Sequence, residues 1–210
     1  IEYAAASHVR QSLSIRKREE WAVEDLWPDT NLDQVAKQRF APLFRTSRRI
    51  SIVDRYAFDS FRKDGEKSGL SWLIRQLSKN SQTPCKVSLF SVHSPDRKAG
   101  RQTDDLDRWV DALEKQCSEM SGELHLFLGP DYVYKQVAHD RYLRIDDTRI
   151  IDLGKGLDTF ASGKITQRST FNYRTLKRND QVAPYRQLEN QLREGRDFLS
   201  FQRQLGAGFE

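Results

Sequence analysis

The chain has 210 residues with 35 basic and 30 acidic side chains, a net charge of +5. At that length it can bury roughly 70% of its unfolded surface, so it needs no staples. Two isolated cysteines, Cys85 and Cys117, exclude a disulfide framework, and no apolar run approaches a membrane span.

The low cysteine content and the lack of a signal-like apolar segment point to a reducing, cytoplasmic setting. A pI near 9.2 fits a polyanion partner, nucleic acid or an anionic lipid surface, and equally a soluble protein that is mildly basic. The first residue, Ile1, suggests a processed chain or a domain cut from a longer protein.

Residues 1–30 alternate like a strand at Ser12–Arg16 and then carry Trp21, Val23, Leu26 and Trp27 as scattered anchors, stopped by Pro28. Residues 31–45 have Leu32, Val35, Ala36, Arg39, Phe40 and Leu43 at helical spacing, with Asn31 as N-cap and Pro42 kinking the end. Ile50, Ile52 and Val53 form a short buried strand that ends at Asp54. Residues 69–80 are an amphipathic helix through Leu70, Leu73, Ile74 and Leu77. A strand over 87–92 ends at His93. A helix over 103–120, capped by Thr103, and a strand over 124–128 follow. This alternation implies a parallel sheet covered by helices, with ligands beyond the carboxyl ends of the strands, where Asp54, His93 and Gly129 fall. A hairpin comes next, then a strand over 164–176, a hinge at 180–184 and a helix from Pro184 to Leu205.

The hairpin region reads HDRYLRIDDTRIIDLGKGLDTF, from His139 to Phe160. Two short apolar strands flank the turn Asp146-Asp147-Thr148, and His139 and Arg141 project together because residues i and i+2 of a strand share a face. Gly154-Lys155-Gly156 adds backbone donors and a cation where glycine permits close approach. The spacing is H-x-R-x4-D followed by a glycine-containing loop. It resembles the H-x-K-x4-D pattern of the phospholipase D superfamily, with arginine for lysine. More narrowly, this run and ISIVDRY at Ile50–Tyr56 resemble the phospholipase-D-like C-terminal domain of microtubule interacting and trafficking (MIT) proteins. The resemblance covers about residues 47–173.

The resemblance implies an α/β fold: a mixed, largely parallel sheet flanked by helices. Residues 1–46 would be an arm and helix packing on the main domain, 47–179 the phospholipase-D-like domain and 180–210 a C-terminal helix. It implies His139 as the nucleophile on phosphorus, Arg141 as the phosphate clamp and Asp146 as the acid that orients an imidazole. Lys155, Gly154 and Gly156 would complete the phosphate site, with Asp54, His93 and Asp158 on its rim. The bland alternative is an ion-paired knot of His139, Asp140 and Arg141 at a strand start.

The superfamily's centre uses two such motifs, and this chain carries one, so catalysis would need a homodimer that joins two copies of His139. Without paired spacing, the four histidines give no metal site, and no cofactor is expected. Arg97, Lys98 and Arg101, and then Lys164, Arg168, Arg174, Lys177 and Arg178, form two basic clusters. With Tyr132, Tyr134, Phe171 and Tyr173 they would make a groove for a phosphate backbone and stacked bases, or else solvated faces. Three functions follow: a metal-independent nuclease acting on nucleic acid as a homodimer, a non-catalytic module on anionic lipid or a protein partner, and a scaffold domain of a larger protein.

Overall fold

The computed structural model describes residues 25–93, 104–137 and 141–206, with the side chains of residues 104, 105, 136 and 137 left aside. His139 with Asp140, the loop cations Arg97, Lys98 and Arg101, the cap Thr103 and the arm before Asp25 lie outside the described residues.

Asn31 caps the first helix, its side chain accepting from the Asp33 and Gln34 amides. The helix runs as α1 (Leu32–Val35), a π turn (Ala36–Phe40) and α2 (Ala41–Phe44), with Pro42 in the first turn of α2. Strand β1 (Arg49–Val53) leads into α3 (Ala57–Asp64) and then α4 (Gly69–Asn80), which is N-capped by Ser68. Next come β2 (Cys85–Val92), α5 (Asp104–Lys115), β3 (Gly122–Gly129) and α6 (Asp131–Val137). The hairpin β4 (Tyr142–Ile145) and β5 (Arg149–Leu153) follows, then a kinked 3₁₀ segment (Gly156–Gly163), β6 (Phe171–Thr175), α7 (Asn179–Glu194) and β7 (Leu199–Leu205). The strands form one seven-stranded sheet in the order β6-β5-β4-β1-β2-β3-β7.

The mixed α/β sheet flanked by helices is as the sequence implies, but its parallel part is smaller than expected. Only β1–β2 and β2–β3 pair in parallel, and the other four pairings are antiparallel. One reason lies in 180–210, read as a helix through Leu205. The chain turns at Gly195 instead, and Leu199–Leu205 pairs antiparallel along β3 as an edge strand. The expected hinge at 180–184 lies within α7, and the expected strand over 164–176 shortens to Phe171–Thr175. α3 and α6 were not foreseen.

Alternation along the strands sends two different sets of side chains to the two faces. Ile50, Ile52, Val87, Leu89, Leu124, Leu126, Leu143, Ile145 and Ile151 join α1 to α5 in the larger core. Val53, Phe90, Phe127, Tyr142 and Ile150 join Tyr134 of α6 and Val182 and Leu192 of α7 in the smaller one. Within the larger core Phe40 is the hub. Its ring lies 5.5 Å from Trp72, 5.6 Å from Phe160 and 5.7 Å from Phe171, in each case edge to face. One side chain thus ties the π turn to α4, the 3₁₀ segment and β6. Phe40→Ala should cost about 3–5 kcal/mol of unfolding free energy. Urea unfolding of the two proteins measures it, and a loss below about 1 kcal/mol would mean that the cluster is not a keystone.

Candidate functional site

The chain leaves β1 for β2 on one side and, after β3, crosses back to place β4 on the other. The carboxyl end of β1 is therefore the topological switch point of the sheet, where open α/β folds place their crevice. Asp54 follows β1 there, and Arg141 precedes β4, whose Tyr142 pairs with Val53.

Asp54 is 3% exposed, and each carboxylate oxygen takes one backbone N–H: Oδ1 from Tyr56 at 3.0 Å and Oδ2 from Leu157 at 2.7 Å. Burial pushes its pKa up, opposed by the Leu157 and Tyr56 hydrogen bonds and by the charge of Arg141. Arg141 donates Nη1–H to the Lys155 carbonyl at 2.5 Å, and its guanidinium carbon lies 5.1 Å from the Tyr56 ring centroid. The Arg55 guanidinium is 4.9 Å from the same ring and donates Nε–H to Asp131 at 2.6 Å. Tyr56 is 38% exposed, so two guanidiniums flank an aromatic surface that solvent reaches. The Tyr134 hydroxyl, buried within reach of the Asp54 charge, has no hydrogen-bond partner among the described residues. Its pKa is pushed up, by burial first and then by Asp54.

Gly156 must be glycine. Its φ is +70°, and a Cβ would meet Asp54 Oδ2 and lie 2.6 Å from Arg141 Cδ. The loop's amides, however, are largely spent inside the protein. Gly154 N–H goes to the Thr170 carbonyl at 3.2 Å, Lys155 N–H to Ser169 Oγ at 3.3 Å and Leu157 N–H to Asp54. It is a braced turn rather than an open anion nest, and its exposed cation, Lys155, donates Nζ–H to Gln167 at 2.5 Å. Asp158 is exposed and adds its charge to the field at Asp54.

The structure does not bring Asp146 to this cluster. It sits past the far end of β4, in the turn, at φ +50°, where its Oδ1 accepts from the amides of Arg48 and Arg49 at 3.0 Å each. Five residues of strand, roughly 16 Å, separate it from Arg141. In that place it caps the start of β1. Two features argued from composition also change place. Tyr134 and Phe171 are core side chains, not stacking platforms. Arg168, Arg174 and Arg178 pair with Asp25, Asp152 and Asp180. Arg55, Tyr56 and Asp131 were missed as site residues, although the run Asp54-Arg55-Tyr56 at a strand end was visible.

His93 follows β2, with its amide on the Gly129 carbonyl and its Nδ1 3.4 Å from Arg62 Nη1. A guanidinium only donates, so Nδ1 is the acceptor and the proton sits on Nε2. Burial, then the Arg62 charge, lowers the His93 pKa below its ordinary 6.5. Among the described residues no three His, Cys, Asp or Glu side chains converge as a metal site, and no helix is long and apolar enough to cross a membrane.

No protein-family model matches the chain, and no curated protein matches it. Among solved structures it is similar to phosphatidylserine synthase from Haemophilus influenzae Rd KW20, at 15% sequence identity and a TM-score of 0.47. That match covers 96% of this chain and 48% of that one, so the chain spans about half the length of the synthase.

Two outcomes follow. Asp146→Ala should cost about 1–2 kcal/mol through two lost backbone caps and a strained φ, whereas Asp146→Asn should retain most of the stability. Equal losses in both would remove the capping role. For His93, a folded pKa below the unfolded one means that the native state binds fewer protons, so stability rises with pH. The contribution is present above about pH 6.5 and is lost as pH falls through the folded value. Urea unfolding at pH 7.5 and 5.5 should therefore show a larger acid loss in wild type than in His93→Gln. Parallel pH profiles would contradict it.

Proposed function

We propose that the chain is a phospholipase-D-like domain that binds phosphodiesters of nucleic acid at the β1–β4 crevice and, as a cytoplasmic homodimer, cleaves them. The observation that carries this reading is Arg141, held against the Lys155 carbonyl and over the exposed Tyr56 ring at the switch point of the sheet. Only one of its N–H groups has a hydrogen-bond partner among the described residues, so the others are left for phosphate oxygens. Arg55, paired with Asp131, lies over the same ring, and the exposed part of Tyr56 is where a base would stack.

In the proposed reaction His139, two residues before Arg141, attacks phosphorus. The P–O bond to the leaving group breaks, and the imidazole of the second copy supplies its proton. Water, deprotonated by that same imidazole, then cleaves the P–N bond. Arg141 holds the non-bridging oxygens throughout and Lys155 adds charge at the rim. Asp146 has no step in this scheme.

A second reading is a non-catalytic module on anionic lipid head groups, as the narrower MIT-linked resemblance would imply. The single motif copy in the sequence favours it.

The test is cleavage of labelled single- and double-stranded DNA and RNA in EDTA. Wild type should cut, and His139→Ala should fall to background while keeping its melting temperature. Arg141→Ala should weaken nucleic-acid binding about tenfold and reduce the salt slope by about one. If wild type neither cuts nor binds nucleic acid but binds acidic vesicles through Arg141, the second reading replaces the first. If it does none of these, both fall.

A further inference from the structure

The other face of the sheet carries a polar feature that the crevice does not use. Register places Arg144, Ser51, Ser88, His125 and Gln202 side by side across five adjacent strands. Arg49, Lys86, Glu123 and Gln204 form the next row on the same face. At the same depth the opposite face shows Ile50, Val87 and Leu124, then Ile52, Leu89 and Leu126. β1 and β2 lie in the middle of the sheet, where both faces are ordinarily apolar. Near its C-terminal edge this face is indeed apolar, with Val53, Phe90, Phe127 and Tyr142. Polar residues over one half of central strands break a local folding rule, and such breaks gather at functional places.

A cavity of about 560 Å³ opens over these rows, and α7 walls it through Arg186, Glu189, Asn190 and Arg193. That volume falls within the range of small-molecule sites. Its lining holds five cationic side chains, Arg49, Lys86, Arg144, Arg186 and Arg193, against two carboxylates, Asp147 and Glu189. Three guanidiniums converge on Asp147 alone: Arg186 at 2.6 Å, Arg144 at 2.7 Å and Arg49 at 3.3 Å. Arg144 also grips both oxygens of the buried Glu189, at 2.7 and 2.5 Å, so the two carboxylates are already engaged. Lys86 has Glu123 at 3.0 Å. Arg193 lies 5.2 Å from the Phe127 ring centroid and donates to Asn190 at 3.0 Å, with no carboxylate among the described residues. Ser88, only 5% exposed, has no hydrogen-bond partner for its hydroxyl among the described residues. Positive charges gathered around too few carboxylates repel one another, and an anion relieves that repulsion.

We propose that this groove binds a small phosphorylated molecule, whose phosphate oxygens take the spare N–H groups of Arg49, Arg186 and Arg193 while Ser88 supplies a donor on the floor. The planar forks suit phosphate, and a recess of this volume suits a compact soluble ligand. The site is separate from the β1–β4 crevice, where Arg141 would itself take pyrophosphate, so the titrations are made in the Arg141→Ala background.

The experiment titrates the whole chain with inorganic pyrophosphate at low salt, read by calorimetry and by the NMR signals of the His125 ring. The Arg141→Ala protein should bind at sub-millimolar concentration, with the His125 signals shifting. Arg49→Ala/Arg186→Ala should bind at least tenfold more weakly, with those signals unmoved. Both arginines are about half exposed or more, and a melting curve checks the fold; if the double variant unfolds, Arg193→Gln replaces it. No binding at millimolar pyrophosphate overturns the proposal, as does binding indifferent to these substitutions. A single-stranded oligonucleotide that binds the Arg141→Ala protein more tightly than pyrophosphate does, and loses as much when Arg49 and Arg186 are also removed, would make the groove a nucleic-acid track and also overturn it.

Discussion

The carboxylate of Asp54 is the point on which the crevice depends. A buried charge is costly unless donors compensate it, and here the two donors come from separate segments. The Tyr56 amide turns the chain from β1 into α3, and the Leu157 amide fixes the start of the 3₁₀ segment. Crowding beside Asp54 Oδ2 and Arg141 Cδ leaves room at position 156 for glycine alone. With Leu157 placed, Phe160 stacks on Trp72 at 4.5 Å, and Gly69 of α4 packs against the Leu157 carbonyl with no room for a Cβ. The geometry of the site and the packing of the larger core therefore rest on the same hydrogen bonds.

The helix spacing that places α4, the apolar strands β1 to β3 and the hairpin were legible in the sequence, because each buries one regular face. What was not legible depended on pairing. In Leu199–Leu205, Leu, Phe and Leu fall at both strand and helical offsets from earlier apolar residues, and only alignment along β3 decides for a strand. The polar row is invisible along the chain for the same reason: Ser51, Ser88 and His125 lie far apart in sequence and become neighbours through register. Of the residues expected at the site, Arg141, Gly156 and Asp54 lie together, and Lys155 joins them through its carbonyl. Tyr56 and Arg55 join them because the turn after β1 is set by the Asp54 hydrogen bond rather than by periodicity.

The two faces of the sheet divide their labour. One is apolar over β1 to β3 except at Ser91 and supplies most of the hydrophobic burial. On the other, α7 is held by Val182 and Leu192 in the smaller core and, between them along the helix, by the Arg144–Glu189 pair, with Ser51 donating to Glu189 at 2.9 Å. Buried ion pairs add little net stability over an apolar substitute, yet removing one partner leaves an uncompensated charge. The pair therefore acts mainly on register. It allows α7 one position over β1 and β4 and, through Asp147, ties the hairpin turn to the same helix.

That division explains why a motif can be present while its members part company. Residues 141 and 146 of H-x-R-x4-D are five positions apart, an odd number, so an intervening strand sends them to opposite ends and opposite parities. Tyr142–Ile145 is such a strand. Asp146 then meets the start of β1, where the Arg48 and Arg49 amides need an acceptor. Arg141 meets the end of β1, where the acid is Asp54. β1 and β4 run antiparallel, so the hairpin that delivers Arg141 to the crevice necessarily carries Asp146 away from it. The acid in electrostatic reach of the arginine is therefore Asp54, which follows another strand.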